Sequence, residues 1–196
     1  MTNIEFVNSA NPHSWFLVAD DLHSQAEFLM KSFGQGELIR RDVVNRTSDS
    51  WDNINRSVFL LASFALENAI KAFLVYENPD WISNGVISKK MRSHSLSKLV
   101  QMSNLIPYKD RGQPILTIFE NGNESWARYP CSLTKDFTAD PIALDKKLWA
   151  RYQWLIGAYG KRLVKLLEKN WEGPHGFSGR YEISGCFFGV NFEKKS

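Results

Sequence analysis

The sequence predicts an all-α protein: an up-and-down bundle of four to five helices followed by a short irregular or β-hairpin C-terminal arm. Three observations predict it. Residues 57–78 place apolar side chains on nearly every side of one helical repeat. Twice a helix-capping residue is followed by proline, at Asn11-Pro12 and at Asp140-Pro141. From Gly173 the text turns glycine-rich with alternating apolar residues and loses the helical period. The predicted division is a helical bundle over 1–171 and a Gly- and aromatic-rich arm over 172–196, packed on the bundle or on a partner.

Taken in order, residues 1–10 read as extended. The first helix runs from Pro12 to about Phe33, with Trp15, Val18, Leu22, Ala26, Leu29 and Phe33 as its inner stripe, and the Gly34-Gln35-Gly36 break ends it. Residues 37–50 contain three Arg and two Asp and read as a short helix or an exposed connection. Arg40, Arg41 and Arg46 in it are explained more simply as a solvated face than as a ligand site. Ser50 or Asp52 caps the central helix, whose stripe is Val58, Leu61, Ala65, Ala69 and Phe73, widened by Leu60, Phe64, Leu66, Ile70 and Leu74; Asn78-Pro79 stops it.

Ser93-His94-Ser95 opens the next helix, which keeps its period through Leu96, Leu99, Val100 and Met102 until Asn104 and Pro107. Ile115 to Glu120 reads as a further short helix, 121–123 as a turn, and the segment after it as a loop that gathers Trp126, Arg128 and Tyr129. The longest helix starts at Asp140-Pro141 and reaches about Trp171, with Gly157 and Gly160 as points of interruption. Leu148, Tyr152, Leu155, Tyr159, Leu163, Leu166 and Leu167 line its inner face, while Lys146, Lys147, Arg151, Lys161, Arg162 and Lys165 fall mostly off it.

Composition narrows the function classes. A chain of 196 residues fits one domain, and 13% aromatic residues, with seven Trp and thirteen Phe, predict a core built on rings. The net charge of +3 permits an RNA or phosphate partner without requiring one. Cys131 and Cys186 are isolated, and neither has a His at metal-ligand spacing, so no metal or cofactor is expected. The start lacks the basic-then-apolar pattern of a leader, and no uncharged apolar run is long enough to span a bilayer; the expectation is a cytoplasmic chain with no membrane partner. No phosphate loop, GxSxG or HExxH occurs.

The central helix nonetheless carries Glu67, Asn68 and Lys71. Glu67 and Lys71 are four residues apart with the acid first, the favourable order for an ion pair. A buried carboxylate without a partner costs several kcal/mol, so a fold that buries Glu67 must pair it.

The text ALENAIKAFL on that helix, SHSLSKLV at the start of the next, the ARYP loop and the long terminal helix, spread over residues 55–170, together resemble the HEPN superfamily. These are small helical-bundle proteins of toxin-antitoxin and phage-defence systems. The resemblance implies a four-to-five-helix bundle, a homodimer, and either metal-independent RNA cleavage or non-catalytic binding. Cleaving members carry an Arg separated by four to six intervening residues from a His near the start of the last bundle helix, a pair that supplies a base and a phosphate-holding cation. Here His94 has Ile87, Ser88 and Lys89 at those distances, His175 has Glu168, Lys169 and Asn170, and His13 and His23 have no Arg before them. The motif is absent.

The positions that match the family's recurrent polar pattern are Glu67, Lys71, His94, Lys98, Arg128 and Tyr129. In a functional reading Lys71, Lys98 and Arg128 hold a phosphate while His94 and Glu67 move a proton. In a structural reading Glu67 satisfies His94 or Lys71, and His94 caps its helix. Trp126 and Tyr129 suggest a base-stacking platform or simply core, and His13, His23 and His175 suggest surface or cap roles. The expectation is a non-catalytic RNA-, nucleotide- or partner-binding component of a defence or stress system, its partner protein encoded nearby. The alternatives are a divergent metal-independent RNase using His94 with Lys71 or Arg128, and a pure dimerisation module.

Overall fold

The computed structural model describes residues 1–193 except Phe33, Gln35 and Leu133. The chain opens on a helix, α1 (Asn3–Ala10), where an extended segment was expected. Thr2 and Glu5 explain it: the Thr2 hydroxyl accepts the Glu5 N–H and the Glu5 carboxylate accepts the Thr2 N–H, a reciprocal cap that satisfies two helix-end donors. Val7 then reaches a small cluster with Val75, Ile82, Met91 and Trp171.

Asn11 caps α2 (Pro12–Met30) by accepting the Ser14 N–H at 3.0 Å. Its buried face is Phe16, Ala19, His23 and Ala26, which shares with the expected stripe only Ala26 among the described residues: Val18 is 46% exposed, and Trp15, Leu22 and Leu29 are half-buried. Phe33 lies outside the described residues. The face turns because the rings of Phe187 and Phe188, from the far end of the chain, pack on Phe16, and Phe188 also covers His23. No local pattern contains that contact.

Residues 37–52 overturn the all-α expectation. They form β1 (Glu37–Asp42) and β2 (Thr47–Asp52), antiparallel with Glu37 opposite Asp52 and Asp42 opposite Thr47. Ile39 and Thr47 favour an extended backbone, Arg40 and Asp49 pair across the strands at 2.8 Å, and the Asp42 carboxylate accepts the Val44 and Asn45 N–H groups to close the turn. With β3 (Trp171–Glu172) against β4 (Ser178–Gly179) and β5 (Gly185–Phe187) against β6 (Val190–Phe192), the described residues are 57% helix and 12% strand, the strands in three two-stranded sheets. Six α-helices are present among the described residues, α1 and Leu96–Gln101 the short ones.

The central helix, α3 (Asn55–Glu77), packs against α2, against α4 (Leu96–Gln101), against α5 (Lys109–Glu124) and against α6 (Lys146–Leu167). It is long and apolar enough to cross a membrane, but 78% of its most apolar window is buried inside the fold, so its apolarity is that of a core helix. Neither Ser50 nor Asp52 caps it; both belong to β2, and Ile54 occupies the N-cap with no side-chain bond. α4 is capped by Ser95, not by His94. Residues 121–123 form no turn between elements but the last turn of α5, where an added Cβ on Gly122 would run into the Phe59 ring.

α6 starts at Asp145, whose carboxylate accepts the Leu148 N–H at 2.6 Å, five residues beyond the expected Asp140 cap, and it ends before Trp171. It is not interrupted at Gly157 or Gly160. Those glycines instead admit the β5–β6 hairpin: the Phe188 side chain lies where a Cβ on Gly160 would be, 2.6–2.9 Å away, and the Phe188 N–H donates to Asp20 of α2 at 2.6 Å. Gly160→Ala should therefore lower the unfolding free energy by about 1 kcal/mol or more, although alanine is the better helix former, because overpacking outweighs the propensity gain. Urea denaturation of the variant beside the wild type measures it.

Candidate functional site

The structure brings Glu67, Lys71 and His94 together. Lys71 Nζ lies 2.6 Å from Glu67 Oε1 with both side chains buried, at 7% and 6% exposure, and 5.6 Å from the Trp15 ring. His94 Nδ1, on the segment leading into α4, lies 3.1 Å from each Glu67 oxygen, while its side chain remains 52% exposed. One carboxylate thus serves two partners, an ammonium and an imidazole, across two elements, which is the pairing its burial demands. With Nδ1–H donated to Glu67, the Nε2 lone pair of His94 faces outward.

The other three residues do not join this cluster. Lys98 projects from α4 into solvent, and only its backbone N–H is engaged, by the Ser95 hydroxyl at 3.3 Å. Arg128 lies 5.9 Å from the Phe64 ring and 5.8 Å from the ring of Tyr129, which is 57% exposed. Phe64 precedes Glu67 by one helical turn, so Arg128 stands beside the cluster without touching it. Trp126 is core, packed on Phe59, and Arg56 donates to the carbonyls of Trp126 and Tyr129 to hold the loop against α3. Lys71 is committed to Glu67, and no hydrogen bond or ion pair among the described residues joins Lys98 or Arg128 to His94.

His23 corrects a second expectation. It is buried at 1% exposure, with Nδ1 sharing a 3.0 Å hydrogen bond with the Tyr152 hydroxyl and Nε2 lying 3.6 Å from Glu27. His13 stacks on Tyr181 at 4.0 Å, and His175 accepts the Asn84 N–H at 3.1 Å. Cys131 and Cys186 are free and exposed, and among the described residues no group of three His, Cys, Asp or Glu side chains is placed to hold a metal.

The largest set of open cations lies elsewhere, on the outer face of α6. Over Lys146–Leu167 this helix carries six basic residues and no acid. Lys147, Arg151, Trp154, Ala158, Lys161 and Lys165 follow one another at three- and four-residue steps, with Arg162 next to Lys161, one stripe on the outer side of the helix. None of these cations makes an ion pair among the described residues.

Two concavities flank Trp154. One, of about 500 Å³, is walled by Tyr108, Lys161, Arg162, Lys165 and the Phe188–Val190 turn of the hairpin, with Gly157 and Ala158 as its floor. The other, of about 410 Å³, lies between Arg111 on α5 and Lys147 and Arg151. The Arg111 guanidinium stands 4.3 Å from the Trp154 ring and the Tyr108 ring 5.4 Å from it. Gln153 donates to Glu27 at 2.9 Å at the hairpin end of the first.

Sequence reasoning set the α6 basic residues aside as an outer face and did not single out Trp154, Tyr108 or Arg111. The helical spacing of cations around a tryptophan, with no acid in 22 residues, was the available signal. Compared with known proteins, the sequence matches no family model, and no curated protein and no solved structure matches it.

Two outcomes follow from this geometry. Glu67→Ala should destabilise the fold by about 3 kcal/mol, because it strands a buried ammonium, whereas Glu67→Leu combined with Lys71→Met should recover most of that loss. Chemical denaturation of the single and double variants reads the difference.

Burial holds the His23 imidazole below its ordinary value of 6.5, with the Glu27 carboxylate opposing. The unfolded chain then binds the proton more readily, so this contribution to stability is complete above about pH 6.5 and is lost as pH falls through the folded value. Asp20 has the opposite sign: burial raises its carboxyl above the ordinary value, the Phe188 N–H opposing, so acidification relieves that cost. Stability measured from about pH 7 to about pH 5 should therefore fall less steeply in His23→Gln than in the wild type.

Proposed function

We propose that this chain binds RNA along the outer face of α6 and does not cut it. One observation carries the reading: α6 contributes six positive charges to a chain whose whole net charge is +3, so the remainder is net acidic and the positive field is concentrated on one stripe. A phosphodiester backbone is the polyanion that such a row of unpaired Lys and Arg attracts, largely by releasing condensed counterions. The exposed rings beside the row add a surface for bases.

The reading keeps the HEPN-like relationship and a cytoplasmic setting. It is supported by the succession of α3, α4 and the long α6 with Glu67 and His94 meeting between the first two, and by the use of the one long apolar helix as core. The missing Arg-His motif separates the chain from the cleaving members. In fluorescence anisotropy with a labelled single-stranded RNA, log affinity should fall linearly with log salt. The combined change of Lys147, Arg151, Lys161 and Lys165 to Glu should abolish binding, and a salt-independent affinity would sink the proposal.

A second reading rests on the Glu67–His94 contact, which holds the imidazole with Nε2 outward, as a general base requires. It is the divergent RNase. Metal-free incubation with total RNA decides it: cleavage by the wild type that His94→Ala abolishes would establish it, and intact RNA with both proteins would remove it.

A further inference from the structure

We propose that the two concavities flanking Trp154 form a continuous track for single-stranded nucleic acid, with one unpaired base stacked on the Trp154–Tyr108 pair. This rests on the RNA-binding reading and names its substrate class: a splayed single strand rather than a duplex. The argument starts from where the rings are. Trp154 is half-buried on the ridge shared by both hollows, so a chain that follows the cations from Lys147 and Arg151 to Lys161 and Lys165 must cross it. From Lys147 to Lys165 the helix advances about 27 Å, enough for a strand of several nucleotides.

The rings are presented, not hidden. Tyr108 is 56% exposed and sits at φ +56°, ψ 37°, a left-handed backbone that costs a non-glycine residue energy, immediately ahead of α5. That conformation sets its ring beside Trp154 at an interplanar angle of 49°, leaving an open wedge above the Gly157–Ala158 floor. Arg111 packs on the same tryptophan from the neighbouring hollow, which fixes the indole and adds a cation beside its face.

Charge orders the occupant. The large hollow has Lys161, Arg162 and Lys165 on one side and the Glu27 carboxylate, bonded to Gln153, at its hairpin end. A phosphate is drawn to the first and repelled by the second, so the base edge belongs by Gln153 and Glu27 and the backbone along the lysines. A duplex keeps its bases stacked and paired inside; it could meet the cations but neither the wedge nor the rings. A single strand uses all three.

The test uses the full chain and a 12-nucleotide RNA with 2-aminopurine at its centre, offered single-stranded and annealed to its complement. The single strand should bind at least tenfold more tightly, with its 2-aminopurine fluorescence quenched on binding. Tyr108→Ala and Trp154→Ala should each weaken single-strand binding about tenfold or more with the salt slope unchanged, and Trp154→Phe should restore it.

Equal affinity for the two forms, or binding without quenching by the wild type, overturns the track while leaving RNA binding in place. Absence of salt-dependent binding to either form overturns the RNA-binding reading and the track with it. Should Trp154→Ala fail to fold, the exposed Tyr108→Ala and the wild-type quenching still decide.

Discussion

Everything in this fold is arranged to bury α3 from nearly all sides. Val58, Phe59, Ala62, Ala65, Leu66, Ala69, Ile70, Ala72, Phe73 and Leu74 are sealed, and each large side chain among them contributes about 1.5–3 kcal/mol to the folded state. The alanines let neighbouring helices come close, and Gly122 lets α5 lie on the Phe59 ring. Such a helix tolerates ionisable groups only in pairs. That is why Glu67 is engaged by Lys71 on its own helix and by His94 from the segment entering α4, and why the Lys71 ammonium is unavailable to a ligand.

The same demand shapes α6. One side of it must cover α3, so Leu155, Tyr159, Leu163 and Leu167 turn inward; the basic residues are left together outside. Acidic residues that would neutralise them are missing from the helix, and α5 and its cap instead bring Arg111 and the Tyr108 ring against α6's own Trp154. The C-terminal hairpin completes the arrangement. Phe188 locks onto Gly160, Phe16 and His23, and the turn that carries it becomes a wall of the larger hollow. A segment that reads as an appendage therefore shapes the cationic surface.

The two polar features of the molecule have different chemistry. At His94 a buried carboxylate orients an imidazole, and Lys71, the other partner of that carboxylate, is committed to it. Along α6 many cations stand free beside aromatic faces, with no base positioned among them. Binding is what the second can do without help from the first. Proton transfer is what the first could do only with a phosphate held by other means.

The sequence by itself determined the helices whose signals are local: α3 from its all-round apolar repeat, the Asn11 cap that starts α2, and the i, i+4 pairing of Glu67 with Lys71, because hydrogen bonds and side chains within a turn or two decide them. It also held the Thr2–Glu5 box and the cation spacing of α6, signals present but outweighed by patterns read over longer windows. Only the tertiary structure decided the rest. The buried face of α2 turned toward His23 because Phe187 and Phe188, more than 150 residues away in sequence, pack there. Residues 37–52 paired as strands because an extended backbone finds its hydrogen-bond partners across a hairpin, not within its own turn. Trp154 gained its neighbours Arg111 and Tyr108 only when α5 came to lie beside α6, since contacts between elements depend on how whole faces are buried, which no short stretch of residues encodes.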